Sequence, residues 1–189
     1  MGDLLVENVF RIIAGAYKGR KLQGPKGTEF RPTTGRVKEF IFSYLGEFIQ
    51  DAVVLDCFSG TGSLGLEALS RGARHVTFIE AASSSIRILK ANLEKCNIKT
   101  GFQIYQQDVF DFFKMAGQSG YCYDLVLADP PFKGNYRNQI VEDVSKYSLL
   151  ENEGSLIVEH ESHDEDIREH TLNLLRERQF GGCTVSIYE

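Results

Sequence analysis

Val53-Val54-Leu55-Asp56-Cys57-Phe58-Ser59-Gly60-Thr61-Gly62-Ser63-Leu64-Gly65 is the stretch that decides the fold. The apolar run from Val53 to Asp56 reads as a buried strand, and a helix is expected from about Leu64 to Arg71. Between them the chain spells G-x-G-x-x-G, a tight turn that lets the backbone approach a nucleoside-bearing ligand. Working outward, His75–Glu80 reads as the next strand, and a helix follows from Ala82 to Cys96 with Ile86, Leu89 and Leu93 at helical spacing. Phe102–Gln106 reads as a short strand, Val109–Met115 as a helical turn or two, and 117–120 as a loop. Tyr123–Ala128 is strongly strand-like and stops at Pro130-Pro131, which cannot continue a ladder. A helix over Asn138–Leu150, a strand over Ser155–Glu159, a short helix over Leu172–Arg178 and a last strand over Thr184–Tyr188 complete the reading. This alternation predicts an α/β fold, a mostly parallel sheet with helices on both faces that binds ligands at the carboxyl ends of its strands.

Residues 1–50 read differently and are expected to form an N-terminal extension to a main domain over 51–189. Arg11–Gly15 and Gly19–Leu22 can pair as a hairpin. Arg31-Pro32-Thr33-Thr34 leads into a helix with Val37, Phe40, Ile41, Tyr44 and Leu45 on one face, and a Thr there is a natural N-cap. The net charge of −5 excludes a uniformly basic nucleic-acid binder, but residues 1–40 carry +4 and the remainder −9. A basic section on an acidic body suits a local phosphate-binding surface. Lys18, Arg20, Lys21, Arg31, Arg36 and Lys38 are the candidates to grip such phosphates, solvated surface charge being the alternative. No apolar run reaches the roughly 20 residues of a membrane span, and the N-terminus lacks the basic start of a signal peptide, so a cytoplasmic protein is expected. The four cysteines form no Cys-x-x-Cys pair and read as buried free thiols. Glu159–Asp166 contains His160 and His163, but no further paired ligands complete a site; a solvated acidic loop without metal is expected.

The glycine loop alone fits either a dinucleotide or S-adenosylmethionine, and Glu80, 20 residues after Gly60, suits the ribose of both. Asp56 tips the balance. A carboxylate beside the turn repels a pyrophosphate but attracts the sulfonium and ammonium of S-adenosylmethionine. Ser59, Gly60 and Gly62 then provide close backbone approach. Asp108 can accept from an adenine amino group while Val109 donates its backbone N–H, or Asp108 can cap a helix; one residue can do both.

Asp129-Pro130-Pro131-Phe132 carries the chemistry. A conjugated amino group is a poor nucleophile because its lone pair is delocalised into the ring. Acceptors on its N–H groups localise that lone pair toward an incoming methyl carbon. Asp129 supplies one acceptor and the Pro130 carbonyl a second, Pro131 helps to stiffen the backbone that aims them, and Phe132 offers a face on which a base can stack. The reading at this point is a methyltransferase acting on an exocyclic amino group of a nucleic-acid base.

RIIAG at 11–15, Gly-Arg-Lys-Leu at 19–22, RPTTGRVKE at 31–39, LDCFSGTGSLGLEALSRGA at 55–73 and ADPPF at 128–132 together resemble the bacterial small-subunit ribosomal RNA guanine-N2 methyltransferase (RsmD) family, nearly the whole chain from Arg11 onward. The resemblance implies a class I, Rossmann-like methyltransferase fold with a seven-stranded sheet and an N-terminal extension. It implies methylation of the 2-amino group of one guanine in 16S rRNA, on assembled or partly assembled small subunits, by a protein expected to be a monomer. It also implies cofactor contacts at Asp56, Gly60, Gly62, Glu80 and Asp108, a catalytic loop at Asp129–Phe132, and a closing segment containing Arg31, Thr33 and Thr34. Residues 1–10 are extra to the family pattern, and Gly35 stands where an acid is more usual. An adenine-N6 methyltransferase on DNA or another RNA, and more remotely an NAD-dependent oxidoreductase, are the alternative readings.

Overall fold

The structure, a computed structural model, describes residues 10–24, 35–134, 136–162 and 171–189. Two short strands, β1 (Phe10–Arg11) and β2 (Lys21–Leu22), pair antiparallel. Helix α1 (Gly35–Leu45) follows, and then β3 (Val53–Cys57), α2 (Ser63–Ser70), β4 (His75–Glu80), α3 (Ser83–Lys95), β5 (Phe102–Gln106), α4 (Val109–Gln118) and β6 (Tyr123–Ala128). The chain closes with α5 (Arg137–Lys146), β7 (Leu150–Glu161), β8 (Leu174–Phe180) and β9 (Cys183–Tyr188). The seven-stranded sheet runs β5-β4-β3-β6-β7-β9-β8. Strands β3 to β7 are parallel, and β9 enters antiparallel to both β7 and β8. The strand order reverses between β3 and β6, and a crevice at such a switch point is where α/β sheets bind ligands.

The period-two alternation of the strands sorts their side chains onto two faces. Val54, Leu125, Leu127 and Ile157 pack with α1, α2 and α3 in one core, whereas Leu55, Val126, Leu156 and Val158 pack with α4 and α5 in the other. The predicted sheet with helices on both faces is therefore present. Ile12 and Leu22 belong to the first core, so the hairpin is packed onto the sheet domain.

Buried polar groups hold it there. Glu67 of α2, fully buried, accepts from the backbone N–H of Ile13 (2.8 Å) and Ala14 (3.0 Å). Asn92 of α3 accepts from Gln23 N–H at 2.7 Å and donates to the carbonyls of Gln23 and Thr61. Gly15 sits at φ +81° with the Ser70 carbonyl oxygen 1.7 Å from where a Cβ would stand, so this contact admits only glycine.

Several expectations are corrected. Leu172–Arg178 is not a helix; β8 covers Leu174–Phe180 and pairs along β9. Helix α4 runs on to Gln118 and consumes part of the expected loop, α5 ends at Lys146, and β7 is 12 residues long. Glu159 and His160 lie buried within β7 rather than in a solvated loop; His163 lies outside the described residues. His160 Nε2 and Ser186 Oγ are 2.8 Å apart. Cys57, Cys96 and Cys183 are buried thiols, but Cys122 is partly exposed. Among the described residues, no helix is long and apolar enough to cross a membrane, and no group of three or more potential ligands could hold a metal.

Candidate active site

The sheet register brings the functional loops to one edge. Cys57 pairs with Ile79 and Ala128, and Ala128 pairs with Val158, so the glycine loop, Glu80, Asp129 and Glu159 all emerge at the carboxyl ends. The glycine turn follows β3 because Gly60 and Gly62 adopt left-handed φ of +54° and +83°. Gly65 serves packing, since a Cβ there would lie 2.3 Å from the Phe78 ring.

Glu80 fastens the turn: one carboxylate oxygen accepts from Gly60 N–H at 2.8 Å and the other from Ala82 N–H at 2.7 Å. Asp56 is buried and accepts from Gly65 N–H at 2.9 Å. Burial pushes its pKa up to about 8; the Gly65 N–H opposes the rise, and the charges of Asp129 and Glu80 add to it. Those mutual effects put the three carboxylates in one locus. They also refine the argument from charge. The negative field that disfavours a pyrophosphate comes from Glu80 and Asp129, while burial favours the protonated form of Asp56. The hydroxyls of Ser59 and Ser63 are buried without a hydrogen-bond partner among the described residues. Buried polar groups of that kind in a binding loop suit a polar ligand.

Asp108 caps α4, accepting from Phe110 N–H at 2.8 Å and Asp111 N–H at 3.3 Å, and its side chain is exposed beside the buried Val109. Its capping role is thus realised, with lone pairs left for a further donor. Asp129 is half-buried and Pro130 buried; Pro131 is exposed, and Phe132 packs partly against the α1-side core.

Sequence reasoning missed an aromatic cluster at this edge. Phe58, at φ +55° between Asp56 and Gly60, stacks on Tyr136 at 5.7 Å and lies edge-on to Phe110 at 6.1 Å. Tyr136 is also 5.8 Å from Phe110, and its ring fills the space where a Cβ on Gly134 would go. The loop from Asp129 to Gly134 is therefore folded onto a ring that rests on the glycine turn. An aromatic inside the turn, a second two residues past Asp108 and a third four past Phe132 were the available signal.

Of the candidate RNA contacts, Lys18, Arg20, Lys21 and Arg36 are exposed, although Arg20 donates to the Lys95 carbonyl at 2.8 Å and so caps the end of α3. Lys38 is corrected: it is buried, donates to the Arg11 carbonyl at 2.8 Å and pairs with Glu67 at 3.5 Å, which makes it an internal anchor. Arg31, Thr33 and Thr34 lie outside the described residues.

The chain is similar to several proteins that are named as methyltransferases. The small-subunit ribosomal RNA methyltransferase D of Haemophilus influenzae is 36% identical over 95% of this chain and 93% of its own length. Its Escherichia coli counterpart is 38% identical over 80% of this chain and 74% of its own. The solved structure of yhhF from Escherichia coli superposes with a TM-score of 0.82 at 34% identity, covering 94% of this chain and 96% of that one. The family described as conserved hypothetical protein 95 matches residues 10–189, and the chain belongs to it, together with these methyltransferase D relatives.

Proposed function

We propose that the chain transfers a methyl group from S-adenosylmethionine to the exocyclic N2 amino group of a guanine in small-subunit ribosomal RNA. The observation that carries this reading is the convergence of Asp129-Pro130-Pro131-Phe132 with Asp56 and Glu80 at the switch point of the sheet. The names of the methyltransferase D relatives supply the nucleic acid. The substrate on this reading is rRNA in the small subunit or an assembly intermediate, met in the cytoplasm by a monomer whose residues 1–50 face the RNA.

The residues present fit the methyl donor. Glu80 suits the ribose hydroxyls and Asp108 and Val109 the adenine. Asp56, Ser59, Gly60 and Gly62 suit the methionyl end, and Thr33 and Thr34 would close over it. Bound S-adenosylmethionine would supply an electrophilic methyl carbon, its sulfur keeping the electron pair of the broken C–S bond as a neutral thioether. Asp129 and the Pro130 carbonyl accept hydrogen bonds from the amino group and turn its lone pair toward that carbon. Phe132 positions the base by stacking. The amino group's surplus proton leaves to Asp129 or water.

The test is incubation with isotopically labelled S-adenosylmethionine and small subunits from cells lacking the gene, with mass spectrometry of the nucleosides. Labelled N2-methylguanosine is the expected product; labelled 6-methyladenosine in its place, or no labelled nucleoside, refutes the assignment.

Asp56 adds a pH signature. A cationic ligand lowers its pKa from about 8, so binding near neutral pH releases a proton and affinity rises with pH up to that value. In the free protein the sign for stability is opposite. The folded state holds a proton that the unfolded chain has lost, so Asp56 contributes stability that falls as pH climbs from about 4 to about 8. Calorimetry in buffers of different ionisation enthalpy is expected to show net proton release on binding at about pH 7, absent in Asp56→Asn. Buffer-independent heats in the parent protein would contradict it.

A further inference from the structure

Strand β8 reads Leu174-Leu175-Arg176-Glu177-Arg178-Gln179-Phe180 at the free edge of the sheet. Its alternation separates charge by sign. Glu177 turns to the α5 side, where it accepts from Arg137 (2.9 Å) and Ser186 (2.7 Å). Arg176 and Arg178 turn to the α1 side and are exposed. The Arg178 guanidinium lies 5.1 Å from the ring centroids of both Phe40 and Phe180. That of Arg176 lies 5.4 Å from Phe40 and 5.9 Å from Tyr44. Among the described residues, neither arginine has a carboxylate partner or donates a hydrogen bond. Among the described residues, two cations without a carboxylate partner thus lie over aromatic rings, which leaves their N–H groups for an anion.

Their position relates them to the reaction. Arg178 pairs with Val185, and Val185 pairs with Glu159, the residue after Val158, which is level with Ala128. Arg178 therefore stands level with Asp129, three strands along the sheet, about 14 Å at the usual strand spacing. Arg176, two residues back on the same face, lies ~7 Å along the strand from Arg178, at right angles to that separation. A strand of RNA whose base reaches Asp129 has its neighbouring phosphates within that span. Arg36, exposed in the first turn of α1, adds a cation on the helix that carries Phe40 and Tyr44.

We propose that Arg176 and Arg178, held on the rings of Tyr44, Phe40 and Phe180, grip the phosphates of the RNA strand flanking the target base. The inference rests on the methyltransferase reading for the identity of the polyanion. The ring contacts alone could serve folding, and the choice of variants separates the two roles.

The experiment measures binding of the full chain to small ribosomal subunits from cells lacking the gene across a salt series, beside S-adenosylmethionine affinity and thermal unfolding. The double variant Arg176→Gln/Arg178→Gln is expected to bind RNA about tenfold or more weakly, with the slope of log affinity against log salt reduced by about 1.4–1.8. Its S-adenosylmethionine affinity is expected to be unchanged. Arg176→Lys/Arg178→Lys keeps both charges and loses the planar stack, so it is expected to unfold at lower temperature yet keep most of the RNA affinity and the salt slope. An unchanged slope in the glutamine pair overturns the proposal, as does an equal loss of RNA affinity in the lysine pair. A parent protein that binds S-adenosylmethionine but not the small subunit overturns the rRNA reading itself, and this surface with it.

Discussion

Asp129→Ala lowers turnover on small subunits by about 10²–10³-fold while leaving S-adenosylmethionine affinity within a few-fold of the parent. The expectation follows from where the carboxylate sits. Asp129 follows the last residue of β6, level with the buried carboxyl end of β7, and Pro130 and Pro131 hold its backbone direction. On the proposed function it meets the amino group, whereas the donor's ribose and methionyl contacts fall to Glu80, Asp56 and the glycine turn. Removing it costs an acceptor that strengthens only as positive charge develops on nitrogen, which is a loss in kcat rather than in KM. Asp129→Asn keeps a carbonyl oxygen in place and retains part of the rate. Asp129 also raises the Asp56 pKa, so its removal lowers that pKa and shifts proton release on donor binding to lower pH. Two readouts, turnover and proton release, thus report on the same carboxylate. Full activity in Asp129→Ala would remove it from the mechanism.

What the sequence made legible divides along physical lines. The β3 turn, β4 and β6 could be read because their information is local: a run of apolar residues, a glycine pair that permits left-handed φ, and prolines that stop a ladder. The site's acids could be read because each ends a strand of a parallel sheet, and such ends converge. Strand β8 could not. Leu, Arg, Glu and Gln favour helix, and only pairing with β9 overrides that preference. The misreading hid Arg176 and Arg178, because a helical period scatters residues two apart that a strand puts on one face. Lys38 failed for a related reason. A lysine in a basic section reads as surface charge, and its partner Glu67 lies 29 positions away. Tyr136 and Phe110 meet Phe58 only after the fold is closed.

The same buried acid yields the largest expected stability effect. Glu67→Ala is expected to cost about 3–5 kcal/mol, because it strands a buried lysine and removes the acceptor of two backbone N–H groups. All of its recorded partners are donors: Ile13 N–H and Lys38 Nζ on one oxygen, Ala14 N–H and Arg71 Nε (2.8 Å) on the other. Burial lowers the Lys38 pKa, the Arg71 charge adds to the fall, and the charge and hydrogen bond of Glu67 oppose it, so without Glu67 the buried ammonium keeps only the Arg11 carbonyl. At about 2–4 °C per kcal/mol for a chain of this size, the midpoint of thermal unfolding drops by roughly 6–20 °C. Glu67→Gln is expected to fall nearly as far, since its amide NH₂ must face a donor wherever it turns. Lys38→Met alone costs less, because Glu67 keeps Arg71 and both N–H groups. Lys38→Met combined with Glu67→Met removes both buried charges and recovers stability relative to Glu67→Ala. Loss of this anchor removes two of the bonds that tie the Ile13–Ala14 backbone to α2, leaving the one from the Ser70 hydroxyl to the Ala14 carbonyl, without touching Glu80 or Asp56. The surviving folded protein is therefore expected to bind S-adenosylmethionine normally and RNA weakly. A midpoint lowered by less than about 2 °C in Glu67→Ala would show that the hairpin is held by its apolar contacts and Asn92 instead.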